Sequence, residues 1–258
     1  MVDLCNLRGL LPHLGQVPSV LYFHENQFVY PERNSGNADR KQNSNLINAQ
    51  LTTVYSALAA DALVFNSEYN QTTFFTGACG LFENMPDGTP DSLLDQLPQL
   101  SQVIPVPISD DSAADVVHKN RRNGRVEIVW NHRWEYDKQP QVFFAALEKL
   151  IEDGYEFAVH LMGQSFRDIP NCFTEFRRDH AEYVATWGHQ SVDVYRQVLE
   201  SADIVVSAAL HDFQGLGMIE AIAAGCMPVA PDRMAYPCLL YTSPSPRDAT
   251  LSRMPSSA

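Results

Sequence analysis

The stretch Ala202–Pro231, ADIVVSAALHDFQGLGMIEAIAAGCMPVAP, sets an apolar strand, a polar loop, a helix and a second strand in immediate succession. Ile204, Val205 and Val206 form a short β-branched run bounded by small residues, the signature of a strand covered on both faces. The chain then turns through His211, Asp212, Phe213, Gln214 and Gly215. Met218, Ile219, Ala221 and Ile222 continue at helical spacing, Gly225 supplies a stop, and Met227 to Ala230 resumes strand character. This is a β-loop-α-β unit. A loop at the carboxyl end of a parallel strand, opening a helix, favours an anion, because unpaired helix amides and the helix dipole converge there.

Working outward, strand-like and helix-like segments alternate, which predicts an α/β protein with mainly parallel sheets. Strands are expected at Val20–Phe23, Ala62–Phe65 and Val103–Ile108, and helices at Asn45–Ala60 and Glu68–Thr76. Residues 80–100 read as a loop with a short helix. The pattern restarts after a polar stretch, with strands at Arg125–Trp130, Phe157–Met162, Tyr183–Thr186, Ile204–Ser207 and Met227–Ala230. Two α/β halves follow, residues 1–118 and 125–237, joined by a linker at 119–124. Such halves leave a cleft between them, the usual setting for a pair of substrates.

A chain of 258 residues with 45% hydrophobic content can build two real cores. The net charge of −13 argues against loose nucleic-acid binding over a general basic surface, so an RNA substrate would need local steering. The concentrated basic run, Lys119-Asn120-Arg121-Arg122, reads as a solvated linker or as a contact to RNA phosphates. No apolar run approaches the roughly 20 residues of a membrane span, and the first residues lack a signal-peptide design, so a cytoplasmic location is expected. Cys5, Cys79, Cys172, Cys226 and Cys238 have no CxxC spacing and predict neither a zinc site nor a disulfide framework.

Residues 238–258 are set aside. CLLYTSPSPRD (Cys238–Asp248) resembles the in-frame translation of a common transposase sequencing adapter, and SRMPSSA (Ser252–Ala258) resembles a flow-cell primer. The native chain is therefore expected to continue beyond Pro237 in different residues.

The second half opens on IVWNHRWEYDK (Ile128–Lys138), a strand followed by a loop with two cations five residues apart. Arg133 and Lys138 can converge on one diphosphate, whose charge grows as a sugar-oxygen bond breaks; a solvated surface pair is the plain alternative. Glu220 sits mid-helix among apolar residues, where a carboxylate without a ligand or buried partner is costly. Asp212 is also readable as a helix N-cap, which is compatible with sugar binding. His24 is readable as a strand-end histidine bonded for stability, and Glu25 and Gln27 as caps. Trp130 and Trp134 read as core and rim aromatics rather than base-stacking platforms.

Taken together, a strand-loop with Arg and a later Lys, then an acidic residue eight positions before Glu220, resembles the family 4 retaining glycosyltransferases of GT-B fold. Asp212 stands where their usual form has Glu. More narrowly, YFHENQ (22–27), VFNSEYN (64–70), WNHRWEYDKQP (130–140), MGQSFRDIP (162–170), the 202–221 segment and GCMPVAPDRMAYP (225–237) resemble the tRNA-queuosine α-mannosyltransferases. The resemblance implies two Rossmann-like domains, both incomplete, since members begin with a further glycine-rich β-α-β portion. It implies GDP-mannose as donor and queuosine-bearing tRNA-Asp as acceptor, with no metal or other cofactor. Arg133 and Lys138 would hold the diphosphate, Glu220 the ribose, and Asp212 with the Phe213, Gly215 and Leu216 region the mannose. On the acceptor side stand His24, Glu25, Asn26, Gln27, Asn66 and Ser67, with His24 reaching the sugar. A family 4 transferase with a lipid or small-glycan acceptor, and an inactive nucleotide-sugar-binding fragment, are the competing readings.

Overall fold

Where the sequence places β-branched and aromatic residues in short runs, the chain forms strands, and all of their pairings are parallel. The computed structural model describes residues 3–29, 39–85, 92–108, 124–165 and 169–242. The chain divides into two compact units, Met1–Val106 and Pro107–Ala258. Residues 119–123 of the expected linker, including the basic run at 119–122, lie outside the described residues, as do residues 243–258.

In the first unit, α1 (Leu4–Leu10) precedes a sheet ordered β1-β2-β3, formed by Val20–Phe23, Ala62–Phe65 and Ser101–Val103. Helix α2 (Asp39–Leu58) links β1 to β2, and α3 (Glu68–Glu83) follows β2. The β1 and β2 boundaries match the sequence expectation, whereas β3 ends at the residue where the third strand was expected to begin. Pro105 and Pro107 lack the N–H that a continuing ladder needs, so pairing stops short of them. Helix α3 outruns its expected end because Phe74, Ala78 and Phe82, spaced at four, put one buried stripe against the sheet. Phe23 stacks on Phe65 at 4.6 Å and meets Phe74 at 5.0 Å, forming the centre of this core.

The second unit carries the sheet β6-β5-β4-β7-β8. Its strands are β4 (Val126–Trp130), β5 (Phe157–Met162), β6 (Val184–Gly188), β7 (Ile204–Val206) and β8 (Met227–Val229). Helices α4 (Pro140–Glu152), α5 (Asn171–Asp179), α6 (Val192–Ser201) and α7 (Leu216–Ala223) make the crossovers, and α8 (Tyr236–Thr242) follows β8. Alternation along β4 separates two cores: Ile128 and Trp130 face the aromatic cluster of α4 and α5, while Val129 faces the cluster built by α6 and α7. Trp130 and Trp134 are both core residues, Trp134 lying flat on Phe173 at 4.2 Å. Helix α8 begins just before the segment set aside on sequence grounds, and Leu239 and Leu240 pack on the α6/α7 cluster.

Candidate functional site

The strand order of the second sheet reverses between β4 and β7, and the loops leaving the carboxyl ends of those strands mark the position where open α/β sheets form their ligand crevice. The β4 loop delivers Lys138 through a single helical turn at Tyr136–Lys138, closed by Gln139 at φ 52° and by Pro140 at the first position of α4. Lys138 is 7% exposed. Its Nζ donates to the His211 carbonyl at 2.6 Å and lies 3.5 Å from Asp212 and 3.6 Å from Asp137. The two loops are stapled by Leu210 N–H donating to the Asp137 carbonyl at 2.7 Å.

Asp212 organises the β7 loop. Its Oδ1 accepts from the amides of Gln214 at 3.2 Å and Gly215 at 2.7 Å, and its Oδ2 accepts from the Tyr236 hydroxyl at 3.2 Å. The helix N-cap is Gly215 rather than Asp212, so the aspartate secures the approach to α7 without capping it. Gly215 takes φ 66°, and a Cβ there would meet Leu239 and Tyr236 side chains at 3.1 and 3.2 Å. Burial pushes the Asp212 carboxyl up, but Lys138, His132 and the two loop amides outweigh it and hold it below the usual carboxylate range.

His132 is buried near Lys138 and Asp212. It is pushed down to about 4 by burial first and by the Lys138 charge second, so the imidazole is neutral. Its Nε2 has no partner among the described residues. The turn beyond β5 presses on the same loop: a Cβ on Gly163 would sit 1.9 Å from the His132 carbonyl oxygen, so only glycine fits.

Glu220 acquires the partner its position demands. The Tyr195 hydroxyl on α6 donates to Glu220 Oε2 at 2.6 Å, and Asn131 Nδ2 donates to the Tyr195 oxygen at 2.9 Å and to the Gly217 carbonyl at 2.8 Å. Burial, followed by the bond to Glu220, pushes the Tyr195 phenol far up. Gly217 allows this approach, since Asn131 atoms lie 3.1 Å from where its Cβ would be.

The expected site residues thus divide. Lys138 and Asp212 come together, with Gly215 beside them. Phe213 is buried edge-on against His211, and Leu216 is exposed at the start of α7. Arg133 does not share the partners of Lys138: it is half-exposed and pairs with Glu135 at 3.1 Å, two residues along. In the first unit His24 and Glu25 are exposed beyond β1, while Asn26, Asn66 and Ser67 are buried. Asn26 Nδ2 donates to Asn70 Oδ1 and Thr73 Oγ1, both at 2.9 Å; Asn70 donates to Asn66 Oδ1 at 2.8 Å; and Asn66 donates to the His24 carbonyl at 2.7 Å. Ser67 Oγ caps α3 by accepting from Asn70 N–H at 3.1 Å. These side chains fix the loop that carries His24, and Gln27 joins through its carbonyl, which accepts from Gln50 at 3.1 Å. Sequence reasoning passed over His132, Asp137, Asn131, Tyr195 and Tyr236. Asn131, His132 and Asp137 lie inside the quoted WNHRWEYDKQP motif and Tyr236 inside GCMPVAPDRMAYP, while nothing local marks Tyr195.

Among the described residues no group of three His, Cys, Asp or Glu side chains is placed to hold a metal ion. The two-sheet α/β architecture is that of the GT-B glycosyltransferases. A structure described as Anabaena Alr3699/HepE in complex with UDP and glucose matches at a TM-score of 0.63 and 14% identity, over 91% of this chain and 58% of that one. TarM matches at 0.56 and 15%, over 87% and 39%, and a glycosyltransferase from Rickettsia africae at 0.50 and 17%, over 84% and 52%. The particular relatives come from sequence. Residues 1–108 match the family described as tRNA-queuosine alpha-mannosyltransferase N-terminal. The Drosophila melanogaster tRNA-queuosine alpha-mannosyltransferase is 31% identical over 249 residues, 92% of this chain and 63% of that protein. The chain is therefore similar to the tRNA-queuosine α-mannosyltransferases along nearly all of its length, as its motifs predicted, and it spans under two thirds of that relative.

Proposed function

We propose that the chain is part of a retaining hexosyltransferase that moves mannose from GDP-mannose to queuosine in tRNA-Asp. The observation that carries this reading is the buried Lys138 ammonium beside Asp212 at the strand-order switch, within a chain related to a tRNA-queuosine alpha-mannosyltransferase. An ammonium has three N–H groups. One of them is committed to the His211 carbonyl, and the two carboxylates stand at the outer range of an ion pair, so a diphosphate oxygen can take a share of the charge.

In this reading the donor diphosphate meets Lys138 and, on its exposed side, Arg133. Glu220, held by Tyr195, accepts from a ribose hydroxyl. Asp212 and the amides near Phe213 to Leu216 bind the mannose hydroxyls. The bond from mannose C1 to the diphosphate oxygen breaks with its electron pair leaving on GDP. The queuosine hydroxyl oxygen joins C1 on the same face, and its proton passes to the departing diphosphate. Positive charge already in place stabilises that developing anion without reorganisation, and these cations and loop amides serve where another enzyme would use a metal. His24 and Glu25 contact the acceptor. No helix among the described residues is long and apolar enough to cross a membrane, and we place the reaction in the cytoplasm.

The test is incubation of the full chain with GDP-mannose and queuosine-containing tRNA-Asp, followed by mass spectrometry of the digested nucleosides. A gain of one hexose on queuosine is expected. Its absence, with folded protein and intact tRNA, refutes the assignment. Glu220→Ala that folds but loses transfer separates a donor role from a structural one.

A further inference from the structure

A second feature of the nucleotide-sugar unit lies away from the crevice, on the α4/α5 face of the sheet. Trp134, Ser165, Thr174, Arg177, Arg178 and Trp187 are among the residues that line an open cavity of about 510 Å³. That volume is of the size that small ligands occupy. Trp134 belongs to the α4/α5 core and Trp187 packs against it, whereas Tyr195, the partner of Glu220, packs on the α6/α7 core. The cavity and the expected ribose contact are therefore on opposite faces of one sheet.

The lining has a definite chemistry. The Arg177 guanidinium stands over the Trp187 ring, 4.6 Å from its centroid, and Trp134 braces that indole edge-on at 4.7 Å. Arg178 is already committed to Asp179 through two bonds of 2.7 Å. Arg177 makes no ion pair among the described residues. In the wall the Trp134 indole N–H has no acceptor among the described residues. A guanidinium seated over an indole, on an exposed helix residue, can offer its other face to a further flat ring and its N–H groups to an anion. Unpaired RNA bases are recognised by stacking of this kind, on guanidinium planes and aromatic rings, with phosphates taken by the same cations. A chain of net charge −13 has particular need of such a defined positive point if it is to hold RNA.

We propose that this cavity binds one unstacked nucleotide of the acceptor RNA, its base on the Arg177–Trp187 stack and its phosphate on the Arg177 N–H groups. The proposal rests on the transferase reading above and adds to it a contact remote from the transferred sugar. It is tested in the full chain by fluorescence anisotropy with labelled queuosine-containing tRNA-Asp and, separately, by calorimetry with GDP. Arg177→Gln should weaken RNA binding roughly tenfold, flatten the slope of log K against log salt by about one, and leave GDP affinity unchanged. Arg177→Lys, which keeps the charge but loses the flat stack, should recover the salt slope and only part of the affinity. Because Arg177 is exposed, both variants should fold, which circular dichroism will verify. Unchanged RNA affinity in Arg177→Gln overturns the proposal. So does a matching loss of GDP affinity, which would give the cavity to the donor. If the unaltered chain mannosylates queuosine while Arg177→Gln binds RNA normally, only this proposal falls; if the unaltered chain neither binds nor modifies the tRNA, the transferase reading falls with it.

Discussion

Replacing Lys138 by Met removes the buried cation that two loops share. The ammonium lies 3.5 Å from Asp212 and 3.6 Å from Asp137, and at an effective dielectric constant of about 20 each attraction is worth roughly 5 kcal/mol. Much of that offsets the desolvation of the charges, so the net loss on removing one partner is about 3–5 kcal/mol, the range for breaking a buried pair. Asp137 makes the cost hard to escape, since it is 2% exposed and neither of its carboxylate oxygens has a hydrogen-bond partner among the described residues. The loss depends on pH in a definite direction. In the unaltered chain the Asp212 carboxyl is depressed, so its contribution to stability is present above the ordinary carboxyl range and is lost as pH falls through the depressed value. Without Lys138, burial, already the largest single influence, is opposed only by His132 and the two loop amides, so the carboxyl moves up from its depressed position and the loss shrinks as pH falls toward it. The destabilisation should therefore be smaller at pH 5 than at pH 7.5. Urea unfolding followed by tryptophan fluorescence measures it directly, because all three tryptophans, 130, 134 and 187, lie in the second unit. Adding Asp137→Leu to Lys138→Met should recover about 1–2 kcal/mol. A loss below about 1 kcal/mol at pH 7.5, or a penalty that grows on acidification, would refute the shared-cation account.

Three further outcomes can be checked. Tyr195→Phe deletes the 2.6 Å bond to Glu220; loss of a charged hydrogen bond of about 1.5–3 kcal/mol should raise the KM for the proposed donor, GDP-mannose, by roughly tenfold or more in steady-state kinetics, with kcat within about twofold. His132, neutral in the fold and pushed down to about 4, binds a proton near pH 6.5 only when unfolded, so stability should fall by up to about 3 kcal/mol between pH 6.5 and 4. His132→Gln should flatten that part of a denaturation profile. Gly163→Ala forces a methyl to within 1.9 Å of the His132 carbonyl, and calorimetry should show a loss of at least about 3 kcal/mol as the β4 loop is displaced.

The strands of both units were legible because apolar β-branched runs bounded by polar or small residues leave little choice of structure; Val20–Phe23, Ala62–Phe65 and Phe157–Met162 have the expected boundaries. The third strand was misplaced because the apolar pattern at 103–108 hides two prolines that cannot donate to a ladder. At the site, residue types were legible and pairings were not. Lys138 meets an aspartate 74 positions away, and Tyr195 meets a glutamate 25 positions away across two helices, distances over which no periodicity carries information. Spacing suggested that Arg133 and Lys138 converge on one diphosphate but could not show that Glu135, two residues along, pairs with the Arg133 guanidinium at 3.1 Å. The polar run at the end of β1 looked like one acceptor surface. The fold separates it, exposing His24 and Glu25 and turning Asn26 inward to a network that no hydropathy pattern announces.

The seam between β4 and β7 sets a schedule for assembly. It is registered by two residue pairs, Ile128↔Ile204 and Val129↔Val205, where β4 and β5 share five, and the Glu127 amide that helps close it donates to Asp203, 76 positions later. Closing so long a loop is slow and rewards the chain only once both ends meet. During synthesis the β4–β5–β6 half can gather first, while the crevice has no second wall until residues beyond 206 emerge. The corner that holds Lys138 and Asp212 is thus among the last parts of its unit to come into being, and hydrogen exchange pulsed during refolding should find the β7 amides protected after those of β5.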